Sequence, residues 1–404
     1  MRIAVLAGGV GGAKFLLGVK AFLGWQLFGP APEGAADTVT AVVNTGDDIR
    51  LHNLQVCPDL DSCLYTLSGA SDPERGWGRA GESWTVSAEL AAYGAEAPWF
   101  SLGDKDIATH LVRTRMLDAG YPLSDVTAAL SQRWQPGVTL LPMTDDRVET
   151  HVVVADPEAA PPTSGSVAGP GNPGPGNPGA GDTGPGDTGP GDTGPGGDEP
   201  AADAVGGDGE PGRPSDGDAT SEDGPALVAL HFQEWWIRYR AALPAISITP
   251  IGADTATPAP GVLPALSGAD VIVIAPSNPV VSIGTILAVP GIAETLRAVA
   301  APVVGVSPII GGSPVRGHAD ACLAAIGVEC SAQGVAGLYG ARSTGGLLDA
   351  FLVADGDTAA VPGLAVGSAP LLMTDPAATA AMVGRALRLV GLPVAGRSGA
   401  GHDR

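Results

Sequence analysis

"RIAVLAGGVGGAKFLLGVKAFLG", residues 2–24, joins a short apolar run to a loop with glycine at four of five positions and then to an amphipathic segment. "RIAVLA" (2–7) is too short for a helix and reads as a buried strand. "AKFLLGVKAFLG" (13–24) reads as the helix that follows the turn, and "DTVTAVVN" (37–44) adds a second strand. Strand, glycine-rich turn, helix and strand together open a doubly wound α/β sheet. The rhythm returns from residue 269. "ADVIVIAPSNPVVSIGTIL" is strand, loop and helix, "APVVGVSPIIGGSPVRG" (301–317) is strand and loop, and "DAFLVAD" (349–355) is a late strand.

Between these halves the pattern changes twice. Residues 77–134 are helical in pattern and dotted with tryptophan, and 140–156 turn strand-like. From Pro157 to Pro225 the chain is almost wholly Pro, Gly, Ala, Thr, Ser and acids, with a repeat in "GDTGPGDTGPGDTGP". So little apolar surface cannot offset the entropy of ordering it, so a disordered insertion is expected. The strand-like runs on either side suggest a hairpin whose tip was expanded. The expected fold class is α/β, a Rossmann-like doubly wound, mostly parallel sheet formed by 1–76 and 240–404. A helical and hairpin cap takes 77–156 and 226–239.

The insertion carries 13 acids and one base, Arg213, leaving a net charge of −10 of the chain's −22 for the other 335 residues. A moderately acidic fold argues against a nucleic-acid partner. No apolar run reaches the length of a membrane span, so no membrane partner is expected, and the start shows no signal-peptide pattern. Cys57, Cys63, Cys322 and Cys330 lack zinc-type spacing and read as reduced thiols. A cytoplasmic protein is expected.

The candidate chemistry gathers at strand ends. Gly8, Gly9, Gly11 and Gly12 let backbone N–H groups approach a phosphate at a helix start, and Lys14 follows them. The loop is neither G-x-G-x-x-G nor a P-loop, and a tight turn that simply fits glycine is the alternative to phosphate binding. "VVNTGDDIRLHNLQVCPDLDSCLY" (42–65) then places four aspartates close to that loop. Asp59 can serve as the N-cap of a helix whose buried face is Leu60, Cys63, Leu64 and Leu67. Asp61 has no such structural excuse, and Asp47 stands at a strand's C-terminal end. Two carboxylates beside a phosphate suit Mg²⁺, although solvated surface acids are the alternative. "SLGDKDIATHLVR" (101–113) sets Ser101, Asp104, Lys105 and His110 around a helix start. "APSNPVVSIG" (275–284) offers Ser277, Asn278 and Ser282 for a nucleotide base or phosphate. "SPIIGG" (307–312) repeats that design one strand later.

Taken together, "LAGGVGGAKFL", "VVNTGDD", "CPDLDSCLYTL", "LGDKDIATHLVR", "HFQEWW", "APSNPVVSIG" and "SPIIGG" resemble the CofD/FbiA family over nearly all of the chain outside 157–225. The resemblance implies transfer of a phosphate-linked three-carbon acid from a guanosine diphospho donor to FO, the ribityl deazaflavin precursor of coenzyme F-420. GMP leaves and Mg²⁺ is required. "HFQEWWIRYRA" and "RGWG" favour the branch with the enolpyruvyl donor over the 2-phospholactyl one. The resemblance makes Asp47 and Asp61 the metal-holding, catalytic pair, with Asp61 also orienting or deprotonating the acceptor hydroxyl. Gly8, Gly9, Gly11, Gly12, Lys14, Ser277, Asn278 and Ser282 then serve the nucleotide, and Asp61, Ser101, Asp104, Lys105 and His110 the deazaflavin. A homodimer is the expected assembly. Relatives of this fold also resemble regulatory proteins that bind a nucleotide sugar without catalysis. The paired acids and the tryptophans of 77–99, flat surfaces for a deazaflavin ring, favour the enzyme.

Overall fold

The apolar run at residues 2–7 sits near the middle of a seven-stranded sheet. In spatial order the strands are Ala365–Ala369, Ala350–Ala354, Val303–Val306, Val271–Ile274, Arg2–Ala7, Thr38–Val43 and Thr139–Pro142, and every neighbouring pair is parallel. The computed structural model describes residues 1–95, 99–158 and 226–393. The expected Rossmann-like class is therefore observed, with the main sheet wholly parallel. Residues 1–157 and 227–393, as far as they are described, belong to one compact unit.

A parallel sheet needs cover on both faces, and its strands alternate between two cores. Ile3, Val5 and Ala7 face one core, with Phe15, Leu16 and Val19 of the Gly9–Phe22 helix and Met382, Val383 and Leu387 of the Pro376–Leu389 helix. Ala4 and Leu6 face the other, with Ile283, Ile286, Leu296 and Val335. Leu60, Cys63, Leu64 and Leu67 are all buried, as their helical spacing predicts.

The residues that pattern as a cap divide between two places. Helices Thr85–Ala92, Asp104–Asp118 and Leu123–Trp134 fall in the stretch read as helical. Thr139–Pro142, within the range assigned to the cap, instead pairs with Thr38–Val43 and closes the edge of the main sheet. "ALVALHFQEWWIRYRAAL" (226–243), whose pattern predicts a strand and a helix, forms the Leu227–His231 strand and then a single π-helical turn, Glu234–Arg238.

A separate antiparallel sheet has Glu149–Ala155 between Leu227–His231 and Ser247–Ile251. Ala155 stands opposite Leu227, so the two ends that flank the Pro/Gly-rich stretch are hydrogen-bonded neighbours. The insertion itself, from residue 159 to 225, lies outside the described residues. Replacing 157–225 with a short Gly-Ser turn is expected to leave turnover within about twofold, with a small gain in stability from the shorter loop. Steady-state rates and thermal unfolding of the shortened chain test this, and loss of soluble, active protein counts against it.

Candidate active site at the carboxyl edge of the sheet

All seven strands run the same way, so the loops after them gather at one edge. The chain leaves Arg2–Ala7 for Thr38–Val43 on one side, while Val271–Ile274 lies on the other. That reversal of strand order is where open α/β sheets bind ligands. Gly9 adopts a left-handed φ of +62°. A Cβ on Gly8 would lie 2.6 Å from Ser282 Cβ and 2.8 Å from Asp59 Oδ2, so only glycine fits there. Ser277 Oγ accepts the Gly8 N–H at 3.0 Å and donates to the Gly8 carbonyl at 2.8 Å, which locks the two loops together. The Gly9–Phe22 helix has no acidic residue in its first turn and no side-chain cap. The Gly9 N–H reaches the Asp59 carboxylate, and a helix start of this kind favours an anion.

The acids are arranged differently from their sequence reading. Cys57 is the N-cap of the Pro58–Leu67 helix, so Asp59 falls in its first turn rather than at the cap. Pro58 takes the first helical position, where its missing N–H does no harm. Asp59 Oδ2 accepts from Asn44 Nδ2 at 3.0 Å, and Asn44 Oδ1 holds the Gly46 N–H at 2.9 Å. Asp47, Asp48, Asp59 and Asp61 are all buried. Burial, then the repulsion of Asp59, holds the Asp47 carboxyl well above the usual range. Burial does the same to Asp48 and raises Asp59 to about 6. Asp47 Oδ1, Asp48 Oδ1, Thr45 Oγ1 and Thr150 Oγ1 are buried without a hydrogen-bond partner.

Among the described residues no group of three or more His, Cys, Asp or Glu could hold a metal ion. Mg²⁺ bound through a substrate phosphate asks for less, one or two carboxylates with phosphate oxygens and water. Asp47 and Asp59 fit that role, since Asp47 has an unpartnered buried oxygen and the two carboxyls repel each other beside the glycine loop. A pH dependence follows from the raised Asp59 value. Its folded pKa of about 6 exceeds the unfolded value of about 4, so its contribution to stability is complete below pH 4 and is lost as pH rises through 6. A Mg²⁺ ion held by these carboxylates would take the place of that proton. The gain in melting temperature on adding Mg²⁺ should therefore be larger at pH 8 than at pH 5, and equal gains would show that these carboxyls hold no ion.

Asp61, expected to share an ion with Asp47, has both oxygens taken by Arg113. Arg113 Nη2 donates to Oδ1, and Nη1 donates to Oδ2 at 3.1 Å. Nη1 also donates to His110 Nδ1 at 3.0 Å, so the imidazole is neutral with its proton on Nε2. Burial lowers its pKa to about 4. Of the residues expected at the deazaflavin, Asp61 and His110 lie together around Arg113, while Asp104 and Lys105 make contacts of their own. Asp104 accepts from Ser83 Oγ and from the Thr85 and Val86 N–H groups, and Lys105 Nζ donates to the Ala80 carbonyl. Ser101 is exposed just before them. Among the nucleotide set, Gly8, Gly12, Ser277 and Ser282 converge. Asn278 instead accepts from the Val280 and Val281 N–H groups and donates to Cys322 Sγ, which makes it a brace for its own loop.

The sequence reading missed several groups at this edge. His231 Nε2 donates to the Asp48 carbonyl at 3.1 Å while Nδ1 accepts the Gln233 N–H. Thr150 N–H donates to the Gly46 carbonyl at 2.7 Å. The antiparallel sheet therefore braces the aspartate loop from outside the main sheet. "HFQEWW" held the signal for His231, and the i, i+3 spacing of His110 held the signal for Arg113.

The family model described as 2-phospho-L-lactate transferase CofD matches residues 3–362. A protein of Mycolicibacterium smegmatis called phosphoenolpyruvate transferase is 48% identical over 392 residues, covering 97% of this chain and 99% of that one. One of the same name from Mycobacterium ulcerans is 48% identical over 394 residues, covering 98% and 100%. Among solved structures, a upf0052-family protein of Bacillus halodurans aligns with a TM-score of 0.48 and 16% identity, covering 96% of this chain and 100% of that one.

Proposed function

Because the chain belongs to the 2-phospho-L-lactate transferase CofD family, we propose that it is the transferase of coenzyme F-420 biosynthesis that moves a phosphoenolpyruvyl group from a guanosine diphospho donor to the ribityl hydroxyl of FO. The near-complete overlap with chains called phosphoenolpyruvate transferase supports the enolpyruvyl donor over the phospholactyl one. The observation that carries a phosphoryl-type transfer is the buried Asp47–Asp59 pair set against the glycine loop at the reversal of strand order.

The residues divide the work as follows. The loop Gly8–Gly12 and the helix start behind it bind the diphosphate through backbone N–H groups, with Ser277 and Ser282 fixing the loop. Asn44 orients the Asp59 carboxylate. A Mg²⁺ ion held by Asp47 and Asp59 would offset the charge that gathers on the phosphate oxygens. The acceptor oxygen forms a bond to the phosphorus bearing the acid, the bond from that phosphorus to GMP breaks, and the hydroxyl proton goes to a carboxylate. Asp48 suits that last task, because its Oδ1 is free and burial raises its basicity. The pair of Asp61 and Arg113 ties the Asp104–Asp118 helix over the acceptor side.

Incubation of the protein with FO, the guanosine diphospho enolpyruvate donor and Mg²⁺, followed by mass spectrometry, tests this directly. Equimolar GMP and dehydro coenzyme F-420-0 are expected, with the lactyl donor run in parallel to identify the acid. Donor binding without GMP release would favour a non-catalytic nucleotide-binding protein.

A further inference from the structure

Val303–Val306 lies two strands from Arg2–Ala7, so the loop that follows it, Ser307–Gly317, reaches the same edge of the sheet. Ile309–Ile310 and Ser313–Pro314 pair in a small hairpin that turns through Gly311 and Gly312, both at positive φ. The Gly311 N–H donates to the Asp357 carboxylate at 3.0 Å, which anchors the turn. Arg316 leaves the open end of this hairpin. Its guanidinium rests on the backbone of Gly76, where a Cβ would come within 2.6 Å of Nη1. Gly76 has a φ of +73°, so glycine is required there on both counts.

Arg316 is also a neighbour of Lys14, the lysine just behind the glycine loop. Burial, then the charge of Arg316, lowers the Lys14 pKa. Neither side chain forms a hydrogen bond or ion pair among the described residues. That is an unfavourable arrangement in a chain of formal charge −22, where acids are plentiful. No carboxylate acts on the Lys14 ammonium, where Arg316 is the charge that is felt, and Asp59 and Asp61 accept from Asn44 and Arg113 instead. Two adjacent cations without a counter-charge, beside a helix start that itself favours anions, form a site completed by an anion from outside.

We propose that Arg316 and Lys14 form a cationic clamp for the diphosphate of the donor, with Arg316 contributed by the 307–317 loop. The clamp rests on the guanosine diphospho donor of the preceding section. It makes Arg316 a binding residue that neither the glycine loop nor the aspartates suggest. Its guanidinium offers a planar fork to phosphate oxygens, while the Lys14 ammonium supplies a point charge.

GDP and guanosine are the probes, measured by calorimetry on the full chain. Arg316→Gln and Lys14→Gln should each weaken GDP binding by roughly ten- to a hundredfold, the usual result of losing a charge-assisted hydrogen bond. Guanosine affinity should stay within about twofold, because the base and ribose do not reach the clamp. Arg316→Lys should fall between wild type and Arg316→Gln, and the salt dependence of GDP binding should flatten in Arg316→Gln. The exposed position of Arg316 predicts an unchanged melting temperature, so a loss of affinity is not a loss of fold. Wild-type protein that binds GDP, with Arg316→Gln binding it equally well, overturns the clamp alone. Wild-type protein that binds no GDP overturns the guanosine-donor reading and the clamp with it.

Discussion

Asp47→Asn and Asp59→Asn each lower turnover by roughly a hundred- to a thousandfold, and the double variant is little worse than either single one. Asparagine keeps the size and one acceptor oxygen but not the charge. If both carboxylates serve one ion, losing either releases it and the second substitution has little left to remove. The Asn44 contact does not explain the effect, since the asparagine oxygen at position 59 can still accept that hydrogen bond. Initial rates measured across Mg²⁺ concentrations should show a raised Mg²⁺ requirement in both single variants. Asp61→Asn should instead act through stability, because its oxygens belong to Arg113. Multiplicative losses at positions 47 and 59 with an unchanged Mg²⁺ requirement would refute the shared ion. A Mg²⁺ shift at Asp61→Asn, absent at Asp59→Asn, would return the second ligand to Asp61.

Arg113→Leu destabilises the fold by about 3–5 kcal/mol, and Asp61→Leu by a similar amount, while the double substitution costs much less than their sum. Arg113 is 1% exposed and Asp61 5%, so removing one partner strands a charge where water cannot reach it. Removing both leaves no stranded charge, although the Gln55 carbonyl and His110 Nδ1 lose a donor whenever Arg113 is replaced. Urea unfolding of the two single variants and the double forms the cycle, with the coupling energy as the readout. Additive losses would mean that the pair is held by its surroundings and not by its own attraction.

Where the sequence could be read and where it could not follows from how far apart the cooperating residues lie. The first strand, the glycine turn and the Pro58–Leu67 helix are local, and spacing alone reveals them. Five strands of the parallel sheet follow from the returning strand and helix rhythm, whereas Thr139–Pro142 lies among strands of the antiparallel sheet and Ala365–Ala369, at the other edge, carries no clear strand pattern. Spacing predicts Asp59 as the helix cap and leaves Asp61 free, whereas Asp59 lies in the first turn and Asp61 pairs with Arg113, for a local reason. Pro58 moved the cap back to Cys57, which put Asp59 on the turn facing the glycine loop. Their partners were out of sight altogether. Arg113 comes from a helix 52 residues beyond Asp61, and His231 meets the Asp48 carbonyl across 183 residues. No periodicity records such meetings, because only the closed sheet and its covering elements bring them about.

The pairing of Ala155 with Leu227 makes chain length at that point nearly a free variable. The ladder between these strands runs from His151 opposite His231 to Ala155 opposite Leu227, so the brace on the aspartate loop sits about four residues, or roughly 14 Å, from where the chain departs. Doubling the number of residues carried there costs only about 0.6 kcal/mol of closure entropy. A tandem unit such as "GDTGP" can therefore gain or lose copies between generations without the catalytic edge registering the change. Selection on turnover is nearly blind to that stretch, and the same blindness makes it the place to splice in a reporter that watches the enzyme without slowing it.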